Sequence, residues 1–120
     1  MTTNKSTRLE IIRCISSRIR CISDIIGEVD EERIRTGGTK DLDEKRLRLE
    51  TDRDILNSYQ RDLASKFFKD NTVKLQGHLD GLQQINNNVE ATADKLKHIA
   101  DTLNDTVRFI GEIQKIISLI

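Results

Sequence analysis

The sequence predicts an all-α protein, an antiparallel three-helix coiled-coil bundle, on three observations. Aliphatic residues recur through the C-terminal part of the chain with alternating spacings of four and three, which keeps them on one side of an α-helix. Of the 120 residues, 33% are charged and 3% are aromatic, and proline and tryptophan are absent. One clear glycine pair, Gly37-Gly38, separates two helical patterns. This composition is typical of coiled coils and atypical of β-sandwiches or enzymes with deep pockets.

The first helix is predicted over about residues 7–36. Thr7 stands three residues before Glu10, which is the arrangement of a capping box. An apolar stripe with spacings of three and four follows: Ile12, Ile15, Ile19, Ile22, Ile26 and Val29. Gly37 and Gly38 favour a left-handed conformation and end the helix.

The second helix is predicted over about residues 41–70, antiparallel to the first because the connection is short. Asp41 can cap its N-terminus, where the helix dipole favours acids. Its core face consists of leucines seven residues apart: Leu42, Leu49, Leu56 and Leu63. Asp52 and Lys45 occupy the second seam position, so we expect this helix on the solvent side. A second corner is expected near residues 68–72, with an uninterrupted passage into the next helix as the alternative.

The third helix is predicted over about residues 72–119 and forms the spine of the domain. Its seam keeps one phase throughout: Leu75, Leu79, Leu82, Asn86, Val89, Ala93, Leu96, Ala100, Leu103, Val107, Ile110, Gln114 and Ile117. The amides Asn86 and Gln114 are predicted to control register and oligomeric state, as polar residues at seam positions do. A four-helix variant has a corner at residues 86–88. The continuous helix is favoured because the seam passes through these asparagines in phase.

Helix lengths predict an assembly tail at residues 104–120. At 1.5 Å per residue the third helix measures about 70 Å and the others about 45 Å, so its end overshoots the glycine turn by roughly 25 Å. An apolar stripe of that size is rarely left in water. The simplest partner is a second copy, giving a dimer or higher oligomer. The predicted interface is the apolar part of this tail: Val107, Phe109, Ile110, Ile113, Ile116, Ile117 and Ile120.

The sequence offers no constellation typical of an enzyme, and we predict no catalytic, cofactor-binding or metal-binding residue. Cys14 and Cys21 are about 10 Å apart along one helix, too far for a mutual disulfide, and are interpreted as packing residues. His78 and His98 have no carboxylate or cysteine placed to complete a metal site or a dyad, and they are interpreted as surface residues. The 20 basic and 20 acidic residues cancel, which argues against nucleic-acid binding.

Charge is uneven along the first helix, whose N-terminal half is basic and whose C-terminal half is acidic. The basic half could contact anionic lipid or nucleic acid. Alternatively, opposite ends of antiparallel helices pair in an assembly, and we favour this interpretation because the patch is small and lacks aromatic residues. No apolar run suits a signal peptide or a transmembrane helix, so we expect a cytoplasmic protein.

We therefore expect a flexible tail at residues 1–6 and one domain over residues 7–120, with residues 72–120 as its spine. The expected function is a non-enzymatic helical interaction module that self-associates through the long C-terminal helix, as an adaptor or scaffold. A different helical protein could also be the partner. The alternative function is a membrane-active protein whose amphipathic tail, residues 107–120, binds a membrane surface.

Overall fold

A computed structural model describes residues 4–65, 72–87 and 94–119, and these residues form four α-helices. They are α1 (Asn4–Thr36), α2 (Lys40–Ser65), α3 (Thr72–Asn87) and α4 (Lys95–Leu119). Together they make an elongated bundle of 52 × 25 × 17 Å. The predicted all-α bundle is thus confirmed. Within the described residues, no helix is long and apolar enough to cross a membrane.

Helices α1 and α4 form the central pair of the bundle. Each contacts all the other helices, whereas the described parts of α2 and α3 do not touch each other. The glycine turn makes α1 and α2 antiparallel. Helix α4 is antiparallel to α1, because Lys95 lies near Glu31 and Phe109 lies near Arg18. Helices α2 and α4 therefore run in the same direction.

The α1–α2 hairpin follows the sequence prediction closely. Gly37 and Gly38 have φ angles of 82° and 83°, the left-handed conformation that glycine adopts without strain. The predicted cap Asp41 lies inside the helix instead, because Thr39 Oγ1 accepts from the Leu42 N–H at 3.1 Å and caps α2. The four leucines spaced by seven are buried, as predicted: Leu42, Leu49, Leu56 and Leu63.

Ion pairs also join α1 to α2 on the solvent-exposed side of this hairpin. Arg33 pairs with Asp43 at 2.9 Å, and Arg46 pairs with Asp30 at 2.8 Å. At the other end, α1 begins at Asn4, before the predicted start. Thr7 consequently lies inside the helix and is buried rather than acting as the cap.

The prediction of one continuous third helix is wrong. Helix α3 ends at Asn87 and α4 begins at Lys95, which agrees better with the four-helix variant; residues 88–93 lie outside the described part of the chain. Local chemistry explains both ends. Asparagines are poor helix formers, and Asp94 caps α4, since its Oδ1 accepts from the backbone N–H groups of Leu96 and Lys97 at 3.1 and 3.2 Å.

The predicted overshoot of residues 104–120 is also wrong. Because α4 turns back along α1, its described end lies inside the bundle rather than beyond the glycine turn. His98 lies 3.3 Å from Glu28 near the C-terminal end of α1, and α4 then descends along it. The error came from adding the lengths of α3 and α4 as though they were collinear.

Candidate functional site

Helix α4 carries two parallel stripes of seam spacing, of which one is fully buried and the other is exposed or half-buried. The first, named here the inner stripe, has spacings of three and four and is buried throughout: Ile99, Thr102, Thr106, Phe109, Ile113 and Ile116. Its apolar members join the core that α1, α2 and α3 build. The inner stripe is therefore what attaches α4 to the rest of the chain.

The second stripe is the one that the sequence seam identified. It is named here the outer stripe and comprises Leu96, Ala100, Val107, Ile110, Gln114 and Ile117. Leu96 is 48% exposed, Val107 is 55% exposed and Gln114 is also exposed. The other three are half-buried. Leu103, which belongs to the same seam, is buried and borders the inner stripe.

The two stripes differ by one residue, which rotates them by about 100° around the helix axis. In α3 the seam itself is buried at Leu75, Leu79 and Leu82. The buried face therefore changes phase between α3 and α4, although the sequence pattern does not. The seam of α3, extended into α4, continues onto a face that the chain covers only in part. Ile110 and Ile117 pack against the core, whereas Leu96 and Val107 are about half exposed.

The structure separates the predicted interface residues into two groups. Phe109, Ile113 and Ile116 lie in the chain's own core. Val107, Ile110 and Ile117 lie on the outer stripe and remain exposed or half-buried, whereas Ile120 lies outside the described residues. A partner that binds the intact bundle can therefore reach only the second group.

The register residue Asn86 connects α3 to α1. Its Oδ1 accepts from Arg18 Nε at 3.0 Å, and its Nδ2 donates to the Cys14 carbonyl at 3.0 Å. These hydrogen bonds fix the height of α3 against α1, because a shift by one turn would break both. The second register residue, Gln114, donates to the Tyr59 hydroxyl of α2 at 3.4 Å, at the exposed side of α4.

Arg18 is a buried cation where α1, α3 and α4 meet. Arg18 is 4% exposed, and its Nη2 donates to the Ile85 carbonyl at 3.1 Å. Its guanidinium lies 5.6 Å from the centroid of the Phe109 ring. A cation at the C-terminal end of a helix satisfies free carbonyls and favours the dipole. Burial lowers the pKa of Arg18, while Asp105 and Cys21 act in the opposite direction.

The sequence analysis did not predict this role, since Arg18 lies in the basic half of the first helix that was considered as a surface for lipid, nucleic acid or an assembly partner. The signal was its spacing, since Arg18 lies seven residues after Ile11 and seven before Ile25, both buried. Cys14 is buried beside this junction and Cys21 is half-buried, both as free thiols. Burial raises the pKa of each thiol, which disfavours the nucleophilic thiolate.

The two histidines are half-buried at the surface, and each lies beside a glutamate that the sequence pattern did not place there. His78 Nδ1 lies 2.8 Å from Glu112 Oε2, joining α3 to α4, and His98 Nδ1 lies 3.3 Å from Glu28 Oε2, joining α4 to α1. Burial raises the pKa of Glu112, but hydrogen bonds from His78 and Lys115 outweigh it and hold that pKa below its usual value. Sequence separation hid these pairs, because the partners are far apart along the chain.

The outer stripe has different borders on its two sides. Towards α3, Arg108 and Lys115 line a shallow groove of about 400 Å³ with Gln84 and Ile85. Towards α2, the border is marked by Tyr59, which is half-buried and hydrogen-bonded to Gln114. The outer stripe thus lies between Arg108 and Lys115 on the α3 side and Tyr59 on the α2 side.

The described residues contain no group of three or more histidine, cysteine or acidic side chains arranged to hold a metal ion. Comparison of the chain with protein-family models, with curated proteins and with solved structures gives no match. Function is therefore argued from the geometry of the chain alone. The partly exposed outer stripe is the candidate interaction surface.

Proposed function

We propose that the protein is a non-enzymatic helical interaction module that self-associates through the outer stripe of α4, as an adaptor or scaffold in the cytoplasm. One observation carries the proposal. Aliphatic side chains with coiled-coil spacing remain exposed or half-buried along α4 while the inner stripe already fills the core. Such a stripe is suited to another helix, because knobs-into-holes packing needs this spacing.

A second copy is the simplest partner for this face. A two-fold contact uses the same patch on both chains, so one self-complementary stripe is enough. The other large exposed apolar residues lie singly on α1, α2 and α3, and they include Ile34 and Leu47. Single exposed residues of this kind are ordinary on protein surfaces.

Self-association of this kind leaves the bundle intact. Phe109, Ile113 and Ile116 stay in the core of each copy, while Val107 and Ile110 meet the partner. The two free thiols, Cys14 and Cys21, are in keeping with the reducing compartment that the proposal assumes.

The membrane alternative has less support. It requires the apolar side chains of residues 107–120 to face lipid, yet Phe109, Ile113 and Ile116 are buried in the chain. The exposed side of the same segment carries Arg108 and Lys115. Membrane binding would therefore require α4 to leave the bundle, which self-association does not.

The test is light scattering behind size exclusion on the wild type and on Val107→Glu. We expect a defined oligomer for the wild type and a monomer for the variant, because two buried glutamates would have to desolvate in each dimer. The matched control is Leu47→Glu, at a leucine that is 63% exposed on α2 and outside the stripe. This control should keep the wild-type mass.

A monomeric wild type at high micromolar concentration would contradict the proposal. Cosedimentation of the same samples with vesicles of anionic phospholipid tests the membrane alternative. If the wild type is monomeric and binds these vesicles, and if α4 leaves the bundle when it does so, the membrane function is favoured. Equal masses for wild type, Val107→Glu and Leu47→Glu oligomers would place the interface elsewhere.

A further inference from the structure

We infer that the two copies pair with their α4 helices parallel, so that each residue of the outer stripe meets its counterpart in the partner. This inference rests on the proposed self-association and adds its orientation. Two features of the exposed face, an amide within the stripe and opposite charges on its two borders, each favour the parallel arrangement over the antiparallel one.

The amide is Gln114, the one polar member of the outer stripe. In a parallel pair, Gln114 of each chain meets the same residue of the other, and the two amides can donate to and accept from each other. In a fully overlapping antiparallel pair, Gln114 meets Ala100, which has no side-chain hydrogen-bonding group. There Gln114 would keep only its long hydrogen bond to Tyr59 of the same chain, at 3.4 Å. The remaining N–H and the carbonyl of a buried amide would lack partners, which destabilises an interface, and polar seam residues select orientation for this reason.

The border towards α3 is basic. It is named here the basic edge and consists of Arg108 and Lys115 beside α3, together with Lys97, which helical spacing places on the same side of α4 nearer its start. All three are exposed. Arg108 and Lys115 each have one acidic neighbour on α4, at 3.7 Å for Asp105 and 3.4 Å for Glu112. Exposed contacts at such distances are weak, so these cations stay available to a partner.

The border towards α2 is acidic. Tyr59 marks the side of α2 that faces α4, and helical spacing places four exposed charged residues near that side. Three are acids and one is a base: Asp41, Glu44, Arg48 and Asp62. Asp41 is paired with Lys45 of the same helix at 2.8 Å, so Glu44 and Asp62 are the acids of this group that matter for a partner. This group is named here the acidic edge. Because α2 and α4 run in the same direction, Asp62 near the end of α2 and Lys115 near the end of α4 lie towards the same end of the bundle.

Symmetry decides which borders meet. In a parallel two-fold pair, the basic edge of one chain lies against the acidic edge of its partner at the same height. In an antiparallel pair, the basic edge meets the basic edge, and Lys97 of one chain approaches Lys115 of the other. Opposite charges attract and like charges oppose association, so both the amide and the borders favour the parallel pair.

The test uses disulfide cross-linking at the two ends of the outer face, in a background with Cys14→Ala and Cys21→Ala. Leu96→Cys and Ser118→Cys are made separately, since both residues are exposed. In a parallel pair each variant should cross-link to itself, at least about tenfold faster than Leu47→Cys outside the stripe. In an antiparallel pair, identical cysteines would lie about 33 Å apart and only a mixture of the two variants would cross-link.

The outcomes separate this inference from the proposed function. Self-cross-linking of both single variants supports the parallel pair. Cross-linking in the mixture alone overturns the orientation but leaves self-association standing. A monomeric mass for the background protein removes the proposed function, and the orientation with it. The background is used only if its circular dichroism and mass match those of the wild type.

A charge exchange gives a second measurement that does not depend on cysteine. Lys115→Glu alone and Asp62→Lys alone should each weaken dimerisation about tenfold, because each places like charges across the parallel interface. The double variant should recover most of that loss, since the exchanged charges again attract. If the double variant loses as much dimerisation affinity as the two single variants lose together, the proposed pairing of these edges is overturned.

Discussion

The inner and outer stripes of α4 have the same spacing on the same helix, yet only the inner one is buried. The inner stripe contains Phe109 and three isoleucines, whereas the outer one contains Ala100, Val107 and Gln114 among its members. Larger side chains bury more apolar surface and so contribute more to stability. A heptad pattern therefore locates an apolar helix face but does not say whether that face packs in the chain's own core or against a partner.

The two stripes also differ in their polar anchors. The inner stripe lies beneath Arg18, which holds α3 to α1 and covers Phe109. The outer stripe has one contact of this kind, the long hydrogen bond between Gln114 and Tyr59. Replacements on the inner side should therefore change folding, and replacements on the outer side should change assembly.

The largest effect is expected from Phe109→Ala. The ring is fully buried, so its removal should reduce the free energy of unfolding by about 3–5 kcal/mol. The measurement is urea unfolding followed by circular dichroism, at protein concentrations below self-association. Val107→Ala is the matched control on the outer stripe and should stay within about 1 kcal/mol of the wild type. Comparable losses for the two variants would break the distinction between the stripes.

Arg18→Met should have the next largest effect. It removes the donor to the Ile85 carbonyl and to Asn86, and unsatisfied buried groups of this kind destabilise by about 1–3 kcal/mol. Arg20→Met is the control, because Arg20 is exposed on the same helix. A combined Arg18→Met and Asn86→Leu variant should lose less than the two single losses added together, since both partners of that bond are gone.

An unchanged stability of Arg18→Met would show that an apolar side chain serves equally well at this junction, as is known for some buried ionic groups. The junction would then be a packing contact rather than a polar anchor. In that case the hydrogen bonds of Arg18 would not be what fixes the height of α3 against α1.

A pH effect is expected from Glu112, which lies on the α3 side of α4. A carboxyl with a lowered pKa in the folded state stabilises the fold above its ordinary pKa and loses that contribution as the pH falls through the folded value. The urea midpoint of the wild type should therefore fall more steeply on acidification than that of Glu112→Gln. His78→Ala should give an intermediate slope, because it removes one of the two hydrogen bonds that lower this pKa. Identical slopes for all three would contradict the assignment.

The smallest effect is expected from Gly111→Ala beside the outer stripe. A Cβ at this position meets nothing within 4 Å, so alanine should stabilise the helix by about 0.5–1 kcal/mol. Gly37→Ala provides the opposite sign, since φ is +82° there and alanine would be strained by about 1 kcal/mol or more. Differential scanning calorimetry can resolve both changes. A destabilised Gly111→Ala would mean that this side of α4 is not open.

The sequence was sufficient to predict the α1–α2 hairpin, because its signals are local. Gly37 and Gly38 end one helix, and the leucines seven apart define one face of the next. The break between α3 and α4 was predicted only as the alternative, because the seam keeps its phase through Asn86 and so favoured one continuous helix. The competing inner stripe, one residue out of phase, was visible only as a set of separate apolar residues in the tail.

The candidate site was predicted only in part. Val107, Ile110 and Ile117 remain candidates for the interface, whereas Phe109 had to be assigned to the core. The histidine–glutamate pairs and the position of Arg18 depend on which helices become neighbours. Periodicity does not contain that information, since it describes one helix at a time.

The central claim is that the inner stripe holds the fold while a second copy covers the outer stripe. Hydroxyl-radical footprinting of the wild type at low micromolar and at submillimolar concentration tests it most directly. Leu96 and Val107 should become protected as concentration rises, Leu47 should stay reactive, and Phe109 should be protected at both concentrations. Unchanged reactivity of Leu96 and Val107 in a sample that light scattering shows to be oligomeric would contradict the account.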